Sequence, residues 1–315
     1  MSAASMHQGG GDRPLRLLVL GATGMLGHRV CLAAGRADDV ACWGTVRAAT
    51  AATADLPDEV VPRDRRIAGV EADGPADVVA ARVRAALDDV RPDVVINAVG
   101  LIKQRPDGAD AGRLEAVNTT FPHLVADAVV AAGARLVHLS TDCVFDGSRG
   151  GSTEDDPPTA TDAYGRSKAA GEPSGSGVVV LRTSMIGREL RGAHGLLEWF
   201  LAAPAPVPGF ARARFSGLTT PVLADLLLDL ARRGLPADGL HHVAAAPIDK
   251  ATLLGLLAEH YRPGVVIEPR DEPVIDRTLD GSRFAAATGF VAPPWPDMVA
   301  ALAADPAPYD RWRTP

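Results

Sequence analysis

The sequence predicts an α/β fold, in which a doubly wound parallel sheet carries a smaller C-terminal lobe. Two observations predict it. From residue 15 to residue 182, short β-branched or leucine-rich runs alternate with longer alanine-rich stretches, which is the pattern of βαβ units. The first run leads into glycines at positions 21, 24 and 27, and an alanine-rich stretch follows them.

The predicted strands are apolar almost throughout, as expected for strands that are buried on both faces of a sheet. In order they are Leu15–Leu20, Val40–Val46, Ile67–Val70, Asp93–Ala98, Arg135–Ser140 and Val178–Arg182. The helices predicted between them are Met25–Ala34, Ala76–Val90, Gly112–Ala132 and Thr161–Gly171. Beyond residue 182 the pattern predicts helices Gly195–Ala203, Pro221–Arg233, Lys250–His260 and Pro296–Ala303, with strands Leu240–Ala244 and Val265–Glu268.

Composition argues against several classes of partner. The chain has 32 basic and 39 acidic residues, a net charge of −7, and no long basic run, so we expect no nucleic-acid partner. It has no export signal and no apolar stretch long enough to span a bilayer, so we expect a cytoplasmic protein with no membrane partner. Three widely spaced cysteines fit a reducing compartment better than a disulfide framework.

The glycines after the first strand predict a Rossmann dinucleotide site. Gly21 permits a tight turn, Gly24 lets the backbone approach a pyrophosphate, and Gly27 lets helix and strand pack closely. The helix N-terminus then supplies N–H donors and a partial positive charge. The expected contacts in this turn are Gly21, Thr23, Gly24, Met25, Leu26 and Gly27.

The end of the second strand favours NADP(H) over NAD(H). An NAD site usually places a carboxylate there to bind the ribose hydroxyls, whereas this chain runs Trp43-Gly44-Thr45-Val46-Arg47. The Arg47 guanidinium can pair with the 2′-phosphate of NADP, although an exposed surface arginine would also explain it.

Tyr164 and Lys168 stand four residues apart in a predicted helix, so their side chains share one face. An ammonium beside a phenol is expected to lower the pKa of the phenol, which makes Tyr164 a candidate proton donor. Thr141 follows the fifth strand and is a candidate hydrogen-bond donor to a substrate carbonyl.

With these motifs, the chain resembles the extended short-chain dehydrogenases/reductases, and more narrowly the dTDP-4-dehydrorhamnose reductase family. The resemblance rests on residues 21–27, 95–98, 117–118, 140–147, 164–168 with 171–172, and 181–184, in the family's order. It implies NADPH-dependent reduction of the keto group of a nucleotide-linked 4-keto-6-deoxy sugar. Thr141 would bind the carbonyl, Tyr164 would give the proton, Lys168 would bind the ribose and modulate the pKa of Tyr164, and Asn118 would support the site.

The resemblance also implies further contacts. Those to the cofactor are Asn97, Ala98, Val99, Gly100 and Asn118, together with Tyr164 and Lys168. Those expected for the substrate are Lys103, Asp142, Cys143, Val144, Met185 and Glu189. Independently of the resemblance, the segment Glu189–Phe215, which contains His194, Trp199 and Arg214, is expected to close over the nucleotide half of the substrate, because arginines suit a diphosphate and an aromatic side chain suits a base or sugar face. Arg277 is either a phosphate ligand or a surface ion-pair partner. Met185 stands where the family typically has a tryptophan in the sugar pocket, which leaves the identity of the sugar open. The family's acidic motif after Ala98 is absent, so we expect no metal.

Two other functions stay open. A sugar-nucleotide epimerase is one, because Cys143 and Glu189 stand where GDP-fucose synthases carry acid/base groups. A non-catalytic NADP-binding regulatory subunit is the other, although the presence of Thr141, Tyr164 and Lys168 together argues against it.

The expected organisation is a disordered lead-in over 1–14, an NADP-binding core over 15–185 and a lobe over 186–315 that mainly binds substrate. Part of 215–245 is expected to complete the core. Helices of related proteins pair across a twofold axis, so the resemblance also implies a homodimer.

Overall fold

The computed structural model describes residues 13–47, 56–104, 108 and 110–313. Most of the predicted lead-in therefore lies outside the described residues. Seven parallel strands form one sheet in the order β11-β6-β5-β4-β1-β2-β3. These strands are β1 (Leu15–Leu20), β2 (Val40–Val46), β3 (Arg66–Ala68), β4 (Val94–Asn97), β5 (Arg135–Thr141), β6 (Val178–Thr183) and β11 (Gly239–His242). The doubly wound fold is confirmed.

Helices cover both faces of this sheet. Those of the first half are α1 (Gly27–Ala34), α2 (Ala76–Val90), α3 and α4 (Ala163–Ala170). Helix α3 is α-helical over Ala111–Leu114, π-helical over Glu115–Thr120 and α-helical again over Phe121–Ala131. Short 3₁₀ turns occupy Arg63–Arg65 and Asp142–Val144.

The C-terminal part surrounds the carboxyl edge of the sheet with short elements. Its helices are α5 (Leu196–Ala202), α6 (Thr220–Arg233), α7 (Lys250–Tyr261), α8 (Ser282–Thr288), α9 (Trp295–Ala303) and α10 (Tyr309–Arg313). Its strands are β7 (Met185–Ile186), β8 (Val207–Phe210), β9 (Ala213–Phe215), β10 (Leu218–Thr219), β12 (Ile248–Asp249), β13 (Ile267–Arg270) and β14 (Ile275–Asp276). Most of these strands have two or three residues, too few to show a period of two in the sequence.

Successive side chains of β1 point to opposite faces of the sheet and therefore pack into two separate apolar clusters. Leu17 and Val19 pack into the apolar cluster that holds α1 and the C-terminal helices, whereas Leu18 and Leu20 pack into the cluster on the α2 and α3 face. All four are at most 1% exposed. The crevice between β1 and β4, where the strand order reverses, is the position at which such sheets bind ligands.

A buried polar network ties the C-terminal end to α1. The Arg29 guanidinium lies 2.8 Å from the Asp305 carboxylate, and these side chains are 3% and 4% exposed. The Tyr309 hydroxyl lies 2.8 Å from Nε2 of His28, whose Nδ1 lies 2.8 Å from the Gly24 carbonyl and must donate to it. Burial lowers the pKa of His28 to about 4, so the ring is neutral at pH 7.

Candidate active site

The turn between β1 and α1 is shaped by its glycines. Gly21 has a φ of +84°, which an L side chain rarely adopts, and a Cβ on Gly27 would run into the carbonyl of Gly21. Within the described part of the chain, the N–H groups of Thr23, Met25 and Leu26 donate no hydrogen bond. Donors left free at the mouth of a cleft fit the oxygens of a dinucleotide pyrophosphate.

The segment after β4 forms the facing wall of this cleft. Asn97 is fully buried; its Oδ1 accepts from the Val99 N–H at 3.1 Å and its Nδ2 lies 3.1 Å from Nδ1 of His138. These bonds hold the backbone of 98–100 toward the glycine turn. Ala98, Val99 and Gly100 all line the cleft together with Thr23, Gly24, Met25 and Leu26.

Asn118 holds the segment after β4 in place by hydrogen bonds to its backbone. Its Oδ1 accepts from the Leu101 N–H at 2.8 Å, and its Nδ2 donates to the Leu101 carbonyl at 2.9 Å and to Ser167 Oγ at 3.2 Å. Asn118 lies in the π-helical turn, which interrupts the single helix predicted over Gly112–Ala132. A π-turn inserts an extra residue, and such turns often occur at functional sites.

Thr141, Tyr164 and Lys168 line one cleft with a volume of about 380 Å³. Thr141 is the last residue of β5, and Asp162 caps α4 by accepting from the Gly165 N–H at 2.7 Å. Lys168 is one turn beyond Tyr164 and its Nζ donates to the Leu139 carbonyl at 2.8 Å. The sheet edge and α4 thus bring the three predicted catalytic residues to the cleft.

The expected lowering of the pKa of Tyr164 is wrong. Burial, followed by the neighbouring Cys143, raises the pKa of Tyr164 above its ordinary value, and the Thr141 hydroxyl opposes this only in part. Burial also lowers the pKa of Lys168 to about 8, which leaves its ammonium mostly charged at pH 7. The phenol is therefore protonated at neutral pH and carries the proton that a carbonyl reduction requires.

Cys143 and Asp142 occupy the 3₁₀ turn directly after Thr141. The Cys143 N–H donates to Thr141 Oγ1 at 3.1 Å, which fixes the hydroxyl as an acceptor on that side. Burial and the Asp142 carboxylate raise the pKa of Cys143 to about 12. The side chain is therefore a neutral thiol at physiological pH and a poor base.

Lys103, Met185 and Glu189 also line the cleft. Glu189 is 8% exposed, and its two carboxylate oxygens accept from the N–H groups of His194, at 2.9 Å, and Gly195, at 3.2 Å. The carboxylate is thus engaged in holding the loop that leads into α5.

Three of the predicted substrate contacts lie outside the residues that line the cleft. Val144 is fully buried in an apolar cluster with Phe145 and Leu279. Trp199 lies on α5 with 38% of its surface exposed, and Arg214 lies on β9, 3.4 Å from the Asp276 carboxylate. Short loops and strands place these side chains on other faces, which spacing along the chain could not indicate.

Arg47 follows β2 directly and is exposed, at the strand end where a 2′-phosphate would be bound. It is not among the residues that line the cleft. Several lining residues were not predicted, namely Leu101, Ile102, Gln104, Leu139, Ser140, Thr183 and Ser184, and most of them continue a motif already recognised. The lining residues Arg191, His194, Gly195 and Leu196 belong to the segment Glu189–Phe215 that was expected to close over the substrate.

No group of three or more His, Cys, Asp or Glu side chains suited to a metal ion occurs in the described residues. Across the same ranges, every helix is too short or too polar to cross a membrane.

The family model for the RmlD substrate binding domain matches residues 15–195, more than half of the chain. That region contains the glycine turn and the residues Thr141, Tyr164 and Lys168.

Several curated proteins with a similar sequence are dTDP-4-dehydrorhamnose reductases. A dTDP-4-dehydrorhamnose reductase of Streptomyces griseus is 39% identical over 39% of this chain and 42% of its own length. One of Mycolicibacterium smegmatis is 28% identical over 87% of this chain and 80% of its own length. Methionine adenosyltransferase 2 subunit beta of Danio rerio is 32% identical over 29% of this chain and 27% of its own length. Alignment with the reductase of Burkholderia thailandensis spans only 29% of that relative's length.

Solved structures share the fold. A dTDP-4-dehydrorhamnose reductase of Bacillus anthracis in complex with NADP superposes with a TM-score of 0.73 at 17% identity, over 92% of this chain and 98% of that one. The Bordetella bronchiseptica enzyme WbmG, in complex with NAD and UDP, gives a TM-score of 0.72 at 21% identity, over 95% and 96%.

Proposed function

Because the chain belongs to the RmlD substrate-binding-domain family, we propose that it is an NADPH-dependent reductase of the keto group of a nucleotide-linked 4-keto-6-deoxy sugar. One observation carries the proposal: Thr141, Tyr164 and Lys168 line the same cleft as the glycine turn. Fold and motif alone would allow a binding protein, but this group supplies an acid and a carbonyl-binding hydroxyl beside the cofactor site.

The roles follow from the chemistry of each group. When bound, the cofactor supplies a hydride to the carbonyl carbon. The Thr141 hydroxyl donates to Asp142 Oδ1 at 3.1 Å in this structure, and it would turn this hydrogen bond to the carbonyl oxygen of a bound substrate. Tyr164 transfers its proton to that oxygen as negative charge develops there. The Lys168 ammonium then stabilises the phenolate left behind. Lys168 is 5% exposed, so an interaction between its ammonium and the phenolate would be little screened by water.

The reaction can be tested with purified protein, NADPH and dTDP-4-keto-6-deoxyhexoses. We expect one NADPH to be oxidised for each sugar reduced, followed by absorbance and by mass spectrometry of the product. Sugar conversion without net NADPH consumption would instead support an epimerase. Inertness of the native protein towards these sugars, with retained NADPH binding, would support a regulatory subunit.

The epimerase alternative lacks support in the cleft. An epimerase needs a base to remove a proton from the sugar ring, and the candidate Cys143 has its pKa raised to about 12. The second candidate, Glu189, has both carboxylate oxygens engaged by backbone N–H groups. Neither observation favours an epimerase over a reductase.

For the cofactor, we propose that Arg47 selects NADPH by pairing with the 2′-phosphate. Its exposed position at the end of β2, with no carboxylate in residues 43–47, supports this assignment. Replacing Arg47 with alanine should raise KM for NADPH by about 10- to 100-fold, the loss of one charge-assisted hydrogen-bond pair. KM for NADH should stay within about twofold, since the 2′-hydroxyl carries no charge.

The control for this variant is Arg36→Ala, which removes another exposed arginine and should leave both KM values unchanged. An unaltered NADPH to NADH preference in Arg47→Ala would exclude the assignment.

The remaining expectations are part of the same proposal. Residues 15–185 with part of 215–245, which contains β11, would bind the cofactor, and residues 186–315 would mainly bind the sugar nucleotide. We further propose a cytoplasmic homodimer with no metal, nucleic-acid partner or membrane partner.

A further inference from the structure

Helix α10 packs against α1, although it is far along the chain from every motif of the cleft. Tyr309 is buried in the same apolar cluster as α1, and Trp312 packs against that cluster. The Tyr309 hydroxyl lies 2.8 Å from Nε2 of His28, and Nδ1 of that ring lies 2.8 Å from the Gly24 carbonyl. One contact of α10 is therefore linked, through a single side chain, to the second glycine of the turn that follows β1.

A second contact of α10 holds the loop between β7 and α5, residues 187–195, which we call the cleft loop. Arg313 donates from Nη1 to the Glu189 carbonyl at 2.9 Å and from Nη2 to the Gly192 carbonyl at 2.6 Å. Its Nη1 also lies 2.7 Å from the carboxylate of Glu198, on α5. The flat, branched guanidinium makes these contacts together, which a lysine ammonium could not do.

Glu198 joins the two segments. Its side chain is 4% exposed, and besides Arg313 it accepts from Arg188 Nε at 2.7 Å and from the Glu189 N–H at 3.1 Å. A carboxylate this deeply buried requires such partners. Without Arg313, the carboxylate would still be paired with Arg188, so we expect variants at position 313 to fold.

The cleft loop forms part of the cleft and touches the glycine turn. Glu189, Arg191, His194 and Gly195 line the cleft. Gly195 lies so close to the Met25 side chain that a Cβ at position 195 would overlap Met25 Cε. The two contacts of α10 therefore converge on the glycine turn, one through α1 and the other through the cleft loop.

We propose that Arg313 is a positioning residue for the cofactor: by holding the cleft loop against the glycine turn, it keeps the dinucleotide site in the conformation that binds NADPH. This inference rests on the proposed function for the identity of the cofactor. Arg313 is not among the residues that line the cleft, so its effect on binding acts through the loop. A site that is formed for only part of the time binds its ligand more weakly, in proportion to that fraction.

The first test is a titration with NADPH, followed by the fluorescence of the nicotinamide. Native protein is compared with Arg313→Met, which keeps an extended apolar side chain and removes the guanidinium. We expect Kd for NADPH to rise by about 10-fold, since the charge-assisted hydrogen bonds to the loop are lost. The same rise is expected with NADH, because the glycine turn binds the pyrophosphate that both cofactors share.

Steady-state kinetics distinguish positioning from a general loss of structure. With dTDP-4-keto-6-deoxyhexoses as substrates, KM for NADPH should rise while kcat at saturating NADPH stays within about twofold of native. A smaller fraction of folded protein would have the opposite signature, a lower kcat at an unchanged KM.

Hydrogen exchange followed by mass spectrometry gives a readout that needs neither ligand nor turnover. The N–H groups of His194 and Gly195 are bonded to the Glu189 carboxylate within the cleft loop. In Arg313→Met we expect peptides that cover residues 189–195 to exchange faster by about 10-fold, because the loop opens more often. Peptides of β5 should exchange as in native protein.

Two further variants make these results specific. Arg311→Met removes an arginine of the same helix that is 67% exposed and pairs with Glu59 at 2.6 Å, and it should behave as native protein does. Arg313→Lys restores the charge opposite Glu198 but not the branched contact with two carbonyls, so its Kd for NADPH should lie between those of native protein and Arg313→Met.

A Kd for NADPH in Arg313→Met equal to that of Arg311→Met would overturn the inference, as would unchanged exchange over residues 189–195. Native turnover with an unaltered KM in Arg313→Met would overturn it while leaving the reductase proposal intact. NADPH binding that depends on Arg313, in a protein that reduces none of the sugars, would support the inference while the reductase proposal fails.

Discussion

Replacing Tyr164 with phenylalanine is expected to lower kcat by about 10³-fold, within the range measured for the loss of a general acid. The phenol is the only group of the proposed catalytic set that holds a transferable proton on an oxygen and has its pKa raised by burial. Phenylalanine keeps the ring against Leu101, Leu114 and Val117 and removes only the hydroxyl. NADPH affinity should therefore stay within a few-fold of native.

The chain offers a matched control, since it has three tyrosines. Tyr261 on α7 packs against the core, and no hydrogen bond of its hydroxyl is formed with the described residues. Tyr261→Phe should keep native kcat. Steady-state kinetics measure kcat for both variants, and NADPH titration measures their affinity for the cofactor. Near-native kcat in Tyr164→Phe would remove this side chain from the mechanism and return the choice of proton donor to Thr141 or water.

Replacing Asp305 with alanine is expected to lower the free energy of unfolding by about 3–5 kcal/mol, since it leaves a buried charge without its partner. The guanidinium of Arg29 lies 2.8 Å from that carboxylate, and neither side chain is more than 4% exposed. Arg36 is 3.8 Å from the same carboxylate but 53% exposed, so its share is small. Urea unfolding followed by circular dichroism measures the change.

The double variant Arg29→Met, Asp305→Leu removes both charges of the ion pair but keeps the space that the two side chains occupy filled. Two apolar side chains of similar size remove both charges, so we expect this variant to be more stable than Asp305→Ala. A double variant less stable than the single one, or a loss below about 1 kcal/mol in Asp305→Ala, would show that the ion pair is not desolvated in solution.

The features predicted correctly are those that depend on local sequence alone. Strands β1, β4 and β5 are mostly apolar runs bounded by turns, and their parallel pairing places Leu20, Asn97 and Thr141 at the carboxyl edge of the sheet. That edge is where a glycine turn, a hydroxyl and a tyrosine on the next helix can meet. The order of the motifs was therefore sufficient to assemble the candidate site.

The errors concern quantities that depend on tertiary contacts. The direction of the pKa shift of Tyr164 depends on how much water the fold excludes, and the i to i+4 spacing to Lys168 does not encode that. The π-turn at Asn118 is stabilised by bonds to Leu101 and Ser167, far from it in sequence. The side chains of Trp199 and Arg214 are oriented by short elements without periodicity.

Two of the three lysine side chains, Lys103 and Lys168, line the cleft, and this determines how the protein responds to covalent chemistry. Acylating reagents, aldehyde fixation and coupling to activated resins act on unprotonated primary amines, and Lys168, with a pKa of about 8, has an appreciable unprotonated fraction near neutrality. Apart from the terminal amine, Lys250 is the one lysine that such reagents could modify outside the residues that line the cleft. Labelling that leaves most proteins of this size active would inactivate this one, and saturating it beforehand with ligand should protect it.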